Sequence, residues 1–316
     1  MFEQWKVTVA GAGLMGHAIA QVFAVNGFET TLYDLTDEQL EKAKNMIAMN
    51  LDSLIKLGMA TLEDKEKTKK LISYTTNLEQ AASKANYIME SVFESADVKR
   101  DFYAKLDKVC PKDSIIASTT SAMNIFEVVD ISCPERLIIT HWFNPAYIMP
   151  LVEVVMGPKT STVTVDTAKS LLEKIGKKPA LIKQYIPGFI VNRISSAIVR
   201  EAGYMIGQGW TTPEDIDAAI VATSGIRYPF EGPLEMHDYV GWDLIHTVNK
   251  TLYPQLCHET HGINPLAAGL AEKGHLGVKS GKGIKDYSGK EVSEIHKQRT
   301  LKIIKMLKAV KDLENI

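Results

Sequence analysis

The sequence predicts an α/β fold: a Rossmann-type doubly wound sheet followed by an all-α C-terminal domain. Three observations predict it. Short β-rich runs alternate with stretches of helical period through the first half, and a glycine cluster sits at the first strand-to-helix turn. Beyond Pro187 the strand signals stop and helical period takes over. The length, 316 residues, fits two domains, drawn here at 1–186 and 187–316.

The elements follow in order. Residues 6–10 (KVTVA) read as a strand, 14–25 as a helix, 28–33 (FETTLY) as a second strand and 37–57 as a long amphipathic helix. Further strands are expected at 72–75, 87–92, 114–117, 136–140, 151–156 and 180–183. Strands separated by helices build right-handed βαβ units, so the sheet should be mainly parallel. Pro187-Gly188 is the natural junction, with the proline available to start the helix of FIVNRISSAIVREAGYMIGQG. Thr212-Pro213-Glu214-Asp215 reads as a cap and first turn, and 291–313 as a terminal helix with apolar residues at helical spacing among lysines.

Composition excludes several classes. With 45% hydrophobic and 8% aromatic residues the chain folds around real cores and is not disordered. A net charge of −2 gives no electrostatic footprint for nucleic acid or an anionic membrane. Cys110, Cys133 and Cys257 are odd in number, widely spaced and without a CxxC pair, which excludes a disulfide scaffold and fits a reducing compartment. The first residues lack a secretory pattern, and no apolar run is long enough to span a bilayer. The expectation is a cytoplasmic protein. His258 and His261 are close, but with no third ligand evident no metal is expected.

Gly11-Ala12-Gly13-Leu14-Met15-Gly16 is a GxGxxG with an apolar strand running into it and a helix opening out of it. The first glycine permits the tight turn, the second lets backbone approach a pyrophosphate, and the third lets helix and strand pack closely. Asp34 ends the second strand, where a carboxylate accepts from a ribose diol and repels a 2′-phosphate; Leu35 and Thr36 offer no arginine. NAD is therefore favoured over NADP, FAD fits the same fingerprint, and Leu14 and Met15 count beside the glycines among the positions that bind the cofactor.

Two segments carry chemistry. Ser118-Thr119-Thr120-Ser121 follows the fifth strand, and His141-Trp142-Phe143-Asn144-Pro145 ends the sixth, ahead of PLVEVVM. A hairpin centred on Tyr147 sets His141 opposite Glu153, whose carboxylate needs a partner inside so apolar a strand. Such a pair suits alcohol oxidation, the imidazole taking the hydroxyl proton and the carboxylate orienting the ring. A buried His–Glu bond that only joins two strands fits the same spacing.

GAGLMG, STTS, HWFNP, PLVEVV and PGFIVNR stand in the order found in the 3-hydroxyacyl-CoA dehydrogenase family, which the chain resembles over nearly its whole length; LGVKSGKG (276–283) resembles that family's KxGxG element. The resemblance implies a homodimer with an all-helical dimerising domain, and reversible NAD-dependent oxidation of an L-3-hydroxyacyl substrate in fatty acid metabolism. It implies that His141 is the catalytic base and Glu153 its partner, with Ser121 near the substrate oxygen and nicotinamide. Asn192 would help hold the substrate carbonyl, and Glu94, Lys99, Asn144 and Lys279 would contact the cofactor. The family's SNTS reads STTS here, with Thr119 in place of asparagine. Without the resemblance Ser121 reads as a helix cap, Asn192 as a polar residue on the outer side of an amphipathic helix, and Lys99 and Lys279 as solvated lysines.

The substrate divides the family. NPAYIMP (144–150) resembles a branch that takes free hydroxy acids, as in L-gulonate 3-dehydrogenase (lambda-crystallin) and L-carnitine dehydrogenase; there Arg227 could clamp a substrate carboxylate, or else close a salt bridge at a helix end. GPLEMHDYVGWDL and LGVKSGKGIKDYS resemble the hydroxybutyryl-CoA enzymes instead, and Lys56 could lie beside the nucleotide of CoA. A non-catalytic NAD-binding or structural role is the third reading, disfavoured because His141 and Glu153 are both present.

Overall fold

The computed structural model describes residues 2–258 and 264–313, in two compact units, 1–193 and 194–316. The first unit holds eight strands: β1 (Lys6–Ala10), β2 (Glu29–Tyr33), β3 (Ile72–Thr75), β4 (Tyr87–Glu90), β5 (Ile115–Ser118), β6 (Leu137–Trp142), β7 (Leu151–Val155) and β8 (Lys178–Ile182). They form one sheet in the order β3-β2-β1-β4-β5-β6-β7-β8, parallel except where β6 meets β7. Order reverses between β1 and β4, the switch point where open α/β sheets leave a crevice at their carboxyl ends. Between the strands run α1 (Gly16–Val25), α2 (Asp37–Lys56), α3 (Leu62–Leu71), α4 (Leu78–Ala82), α5 (Ala96–Val109), α6 (Ile125–Val128) and α7 (Thr162–Lys174).

The strands' two-residue period divides the core. Tyr87, Met89, Ile115 and Ala117 join Phe23, Leu51 and Leu171 on one face; Ile88, Ile116 and Ile139 join Tyr103 and Leu106 on the other. Glu90 and Ser118 end their strands on the second face, opposite each other in register and towards α5. Helix starts follow local chemistry. Thr36, Asn77 and Ser161 accept the amide three residues on, and Thr61 and Asp64 form a capping box.

Most expected elements stand within a residue or two of their observed ends, the ordinary disagreement at fraying termini. The first helix starts at Gly16 rather than at residue 14, because the glycine loop occupies Gly11–Met15 as a turn. Pro187 does not start a helix. Gly188 (φ 78°) and Phe189 (φ 53°) first turn the chain through left-handed conformations, and α8 (Val191–Gly207) begins after them.

Lys177, just before β8, is buried without an acidic partner among the described residues. Its ammonium donates to the carbonyls of Ala146 (2.7 Å) and Met149 (2.9 Å) and lies 5.2 Å from the centre of the Trp142 ring. It thereby fastens the connection between β6 and β7. Burial pushes it down from 10.5 to about 8. Between those values the unfolded chain holds a proton the folded chain has lost, so stability should rise with pH across that window. Urea melts of wild type and Lys177→Met should therefore diverge in favour of wild type, by on the order of 3 kcal/mol, as pH is raised from 8 to 10.5.

Among its described residues the second unit contains the body of α8 and six further helices: α9 (Pro213–Ala222), α10 (Ser224–Arg227), α11 (Glu235–Val240), α12 (Trp242–Leu252), α13 (Pro265–Glu272) and α14 (Val292–Leu313). Thr212 caps α9 with Pro213 in the first turn. Among its described residues only Gly203, Cys257 and Ile304 are buried, while Ile194, Ile198, Phe230, Trp242 and Leu244 stand open. Among the described residues no helix is long and apolar enough to cross a membrane.

Candidate active site

The crevice at the switch point is built by the glycine loop. Gly11 has φ 100°, and a Cβ there would sit 2.2 Å from the Ser91 carbonyl oxygen; one on Gly16 would sit 1.7 Å from the Gly11 carbonyl oxygen. At Gly13 nothing lies within 4 Å, so that backbone is open to an incoming group at the start of α1. Asp34 is held by the amides of Ala12 (2.6 Å) and Leu35 (2.7 Å), which fixes its carboxylate beside the loop. A cavity of about 410 Å³ runs past Gly13, Asp34, Leu35, Val92, Phe93 and Val98. Exposed backbone, an oriented acid and apolar walls fit the adenosine diphosphate half of NAD. Leu14 is exposed, while Met15 packs against the core.

A buried polar network ties the loops that follow β4 and β5. Glu90 is fully buried and accepts from Lys99 through both oxygens (2.7 and 2.8 Å), from Ser118 Oγ (2.6 Å), the Val92 amide (3.0 Å) and Tyr103 Oη (3.3 Å). Lys99 also pairs with Glu94 (3.0 Å), which leaves its ammonium no free hydrogen. Lys99 is thus not a solvated lysine, and it holds Glu94 in place; Glu94 is 43% exposed and accepts from Thr120 Oγ1. Burial and the neighbouring Glu90 charge raise the Tyr103 phenol well above its ordinary value. Ser121, next along, is exposed and is not a helix cap, since Asn124 occupies that position before α6.

The hairpin register pairs His141 with Glu153 across β6 and β7. Both are buried, and His141 Nδ1 lies 2.7 Å from Glu153 Oε2. Oε1 accepts two further hydrogen bonds, from the amides of Ile190 (2.9 Å) and Val191 (2.8 Å), where α8 begins. Burial alone would raise this carboxyl, but the bonds from His141, Val191 and Ile190 outweigh it and hold Glu153 below its ordinary value. An ionised Glu153 can only accept, so Nδ1 carries the proton and Nε2 keeps its lone pair in the neutral ring. Phe143 and Phe189 pack on the imidazole at 4.6 and 5.4 Å between ring centres.

The other expected site residues lie in separate elements. Asn192 is half-buried in the first turn of α8, one residue past the amides at Glu153. Tyr185 packs on Phe189 and donates to the Ala122 carbonyl (2.5 Å), linking the Ser121 loop to the His141 side. Asn144 is exposed in the β6–β7 connection. Arg227 and Lys279 belong to the helical unit: Arg227 ends α10 with Nε 3.9 Å from Glu231, and Lys279 is exposed in a short 3₁₀ turn. Among the described residues no group of three histidines, cysteines or acids is placed to hold a metal; His261 lies outside them.

Sequence reasoning missed Glu90, Tyr103 and Lys177. A signal for the first was present, since an acid ending the apolar run YIME needs a cation within reach, and Lys99 stands in the first turn of the next helix.

Comparison with known proteins agrees with the geometry. Residues 6–185 match the family model of the 3-hydroxyacyl-CoA dehydrogenase NAD binding domain, and 188–287 that of the C-terminal domain. The chain is 30% identical to a 5-formyl-3-hydroxy-2-methylpyridine 4-carboxylate 5-dehydrogenase of Mesorhizobium japonicum, over 95% of this chain and 96% of that one. It is 34% identical to a probable 3-hydroxybutyryl-CoA dehydrogenase of Bacillus subtilis, over 90% and 98%. A crystal structure of a 5-formyl-3-hydroxy-2-methylpyridine 4-carboxylic acid 5-dehydrogenase, described as an NAD⁺-dependent dismutase, superposes with a TM-score of 0.87 at 28% identity, covering 98% of this chain and 99% of that one. The chain therefore belongs to the 3-hydroxyacyl-CoA dehydrogenase family and is an NAD-dependent oxidoreductase acting on CH–OH groups.

Proposed function

We propose that this enzyme reversibly oxidises the hydroxyl of an L-3-hydroxyacyl substrate to the 3-keto compound, with His141 as general base. The observation that carries the reading is the buried His141–Glu153 pair, whose anionic partner leaves Nε2 free to take a proton. Bound NAD supplies the hydride acceptor. Nε2 removes the hydroxyl proton, and Glu153 stabilises the imidazolium that forms without taking the proton itself. Ser121 and Asn192 orient the substrate oxygen and carbonyl. Gly11, Gly13, Leu14, Met15, Gly16 and Asp34 hold the adenosine side of the cofactor, and Glu94, Lys99, Asn144 and Lys279 the remainder, with Lys99 acting through Glu94. Three free thiols suit the reducing cytoplasm.

One observation favours a second reading, a free 3-hydroxy acid in place of a thioester. Helices α2 and α3, which include Lys56, carry lysines and acids in equal number, and Lys65 is already paired with Asp52 (2.5 Å). That supplies little net charge for the phosphates of CoA. Arg227, only loosely held by Glu231, would then clamp the carboxylate.

The deciding experiment follows NADH absorbance with acetoacetyl-CoA, L-gulonate, L-carnitine, free 3-hydroxybutyrate and the hydroxypyridine acid, each with wild type and Arg227→Ala. Thioester turnover indifferent to the substitution supports the first reading. Turnover of a free acid alone, lost in the variant, replaces it with the second. No turnover of any of them refutes both.

The same reading includes a homodimer through the helical unit. Its open apolar side chains, Ile194, Ile198, Phe230 and Trp242 among them, support that pairing, because exposed apolar side chains on a folded unit are candidates for an interface. Light scattering at micromolar concentration should give twice the chain mass, and Ile198→Glu should shift it towards the monomer; a monomeric wild type overturns the dimer.

A further inference from the structure

The buried contacts after β4 and β5 close into a ring. Glu90 accepts from Ser118 Oγ, and Ser118 Oγ accepts from the Thr120 amide (3.2 Å). Thr120 Oγ1 donates to Glu94 while accepting the Met123 amide (2.9 Å). Glu94 pairs with Lys99, and Lys99 returns to Glu90. The ring joins the ends of β4 and β5 to the β4–α5 loop, the first turn of α5 and the β5–α6 loop. One side continues into Val92 and Phe93, which line the nucleotide cavity, and the other into Ser121.

We propose that this ring, centred on Glu90, is a positioning device that locks the cofactor-side loop and the substrate-side loop into one rigid body. The inference rests on the dehydrogenase reading above and names residues that act through others. The arrangement is high in stakes. Four donor groups converge on one dry carboxylate, filling its acceptor sites, so neither loop can move without stranding a buried charge. Simple structural support of α5 would need only the Glu90–Lys99 pair. The further links through Ser118, Thr120 and Glu94 connect loops that do not otherwise follow one another in the chain. Rigid placement of both loops before ligands arrive lowers the ordering cost of binding and keeps reacting atoms in register.

The test uses Ser118→Ala, which cuts the ring on β5, outside the residues lining the nucleotide cavity. Thr120→Val cuts the next link and serves if the first variant folds poorly. Two readouts need no turnover. NADH affinity, titrated by its fluorescence without substrate, should fall about tenfold, as preorganisation of the cofactor loop is lost. Hydrogen exchange of the free protein should speed up several-fold in residues 91–95 as well as in 119–123. Unchanged NADH affinity, or an exchange increase confined to 119–123, overturns the proposal even if melting temperature drops. Failure of the dehydrogenase reading is seen separately, as absent turnover by wild type.

Discussion

Replacing His141 by Asn should lower kcat about a thousandfold while NADH affinity stays close to wild type. General base catalysis contributes roughly 10²–10⁴ to a rate, and a thousandfold loss corresponds to about 4 kcal/mol of transition-state stabilisation. Asparagine can still hydrogen-bond Glu153 through its amide, so the buried carboxylate is not left without a partner. The nucleotide cavity is walled mainly by the glycine loop, the end of β2, the β4–α5 loop and α5, whereas the imidazole meets Glu153, Phe143 and Phe189. Steady-state kinetics on the best substrate of the panel, with an NADH titration, checks both halves. A variant retaining a tenth or more of wild-type kcat would remove His141 from the role of base.

Glu153→Gln should come next, with kcat falling several hundredfold and little change in NADH affinity. The glutamine carbonyl would accept from the Ile190 and Val191 amides, turning its NH₂ towards His141 Nδ1. Nδ1 would then have to accept, and the proton would move to Nε2, the nitrogen that should be empty. The tautomer would be wrong while the geometry survived, a loss of the kind known from triads whose carboxylate is amidated. Stability carries a separate signature. The folded carboxyl titrates below its ordinary value of 4.5, so the wild-type contribution is complete above that pH and is lost as pH falls through the depressed value. The stability gap between wild type and variant in urea should therefore be widest near neutrality and shrink on acidification. A gap that widens with acid would contradict the assigned charge state.

How much of this was written in the sequence depends on the range of the interaction. The glycine loop was legible because every part of it lies in one short segment and each glycine answers a local steric demand, as the Cβ clashes at Gly11 and Gly16 bear out. The facing of His141 and Glu153 was legible because a hairpin makes register a matter of counting from its turn. The second half of Glu153's environment was not, since the amides of Ile190 and Val191 come from a distant segment that reaches the carboxylate only after two left-handed residues. Pro187 misled for the same reason: it marks a chain reversal, and a proline before a helix looks alike in either role. Glu90 was passed over because the period of a buried strand tells which face a residue takes but not what crosses the sheet to meet it. Lys99 read as solvated because a lone lysine in an amphipathic helix usually is, and only the sheet below supplies its two carboxylates.

The two amides at Glu153 bear on how such an enzyme can be taken apart or recombined. The family's two domain models meet between residues 185 and 188, yet Ile190 and Val191, on the far side of that seam, complete the hydrogen bonding of His141's anionic partner. A gene fragment ending at the seam would keep the glycine loop, Asp34 and the ring around Glu90, and so its grip on dinucleotide, while its histidine faced a half-satisfied acid. Swapping catalytic halves between relatives at that seam would likewise pair one parent's carboxylate with the other's helix start. The heritable module is the sheet together with the first turn of α8, and crossover points for chimaeras belong after Arg193.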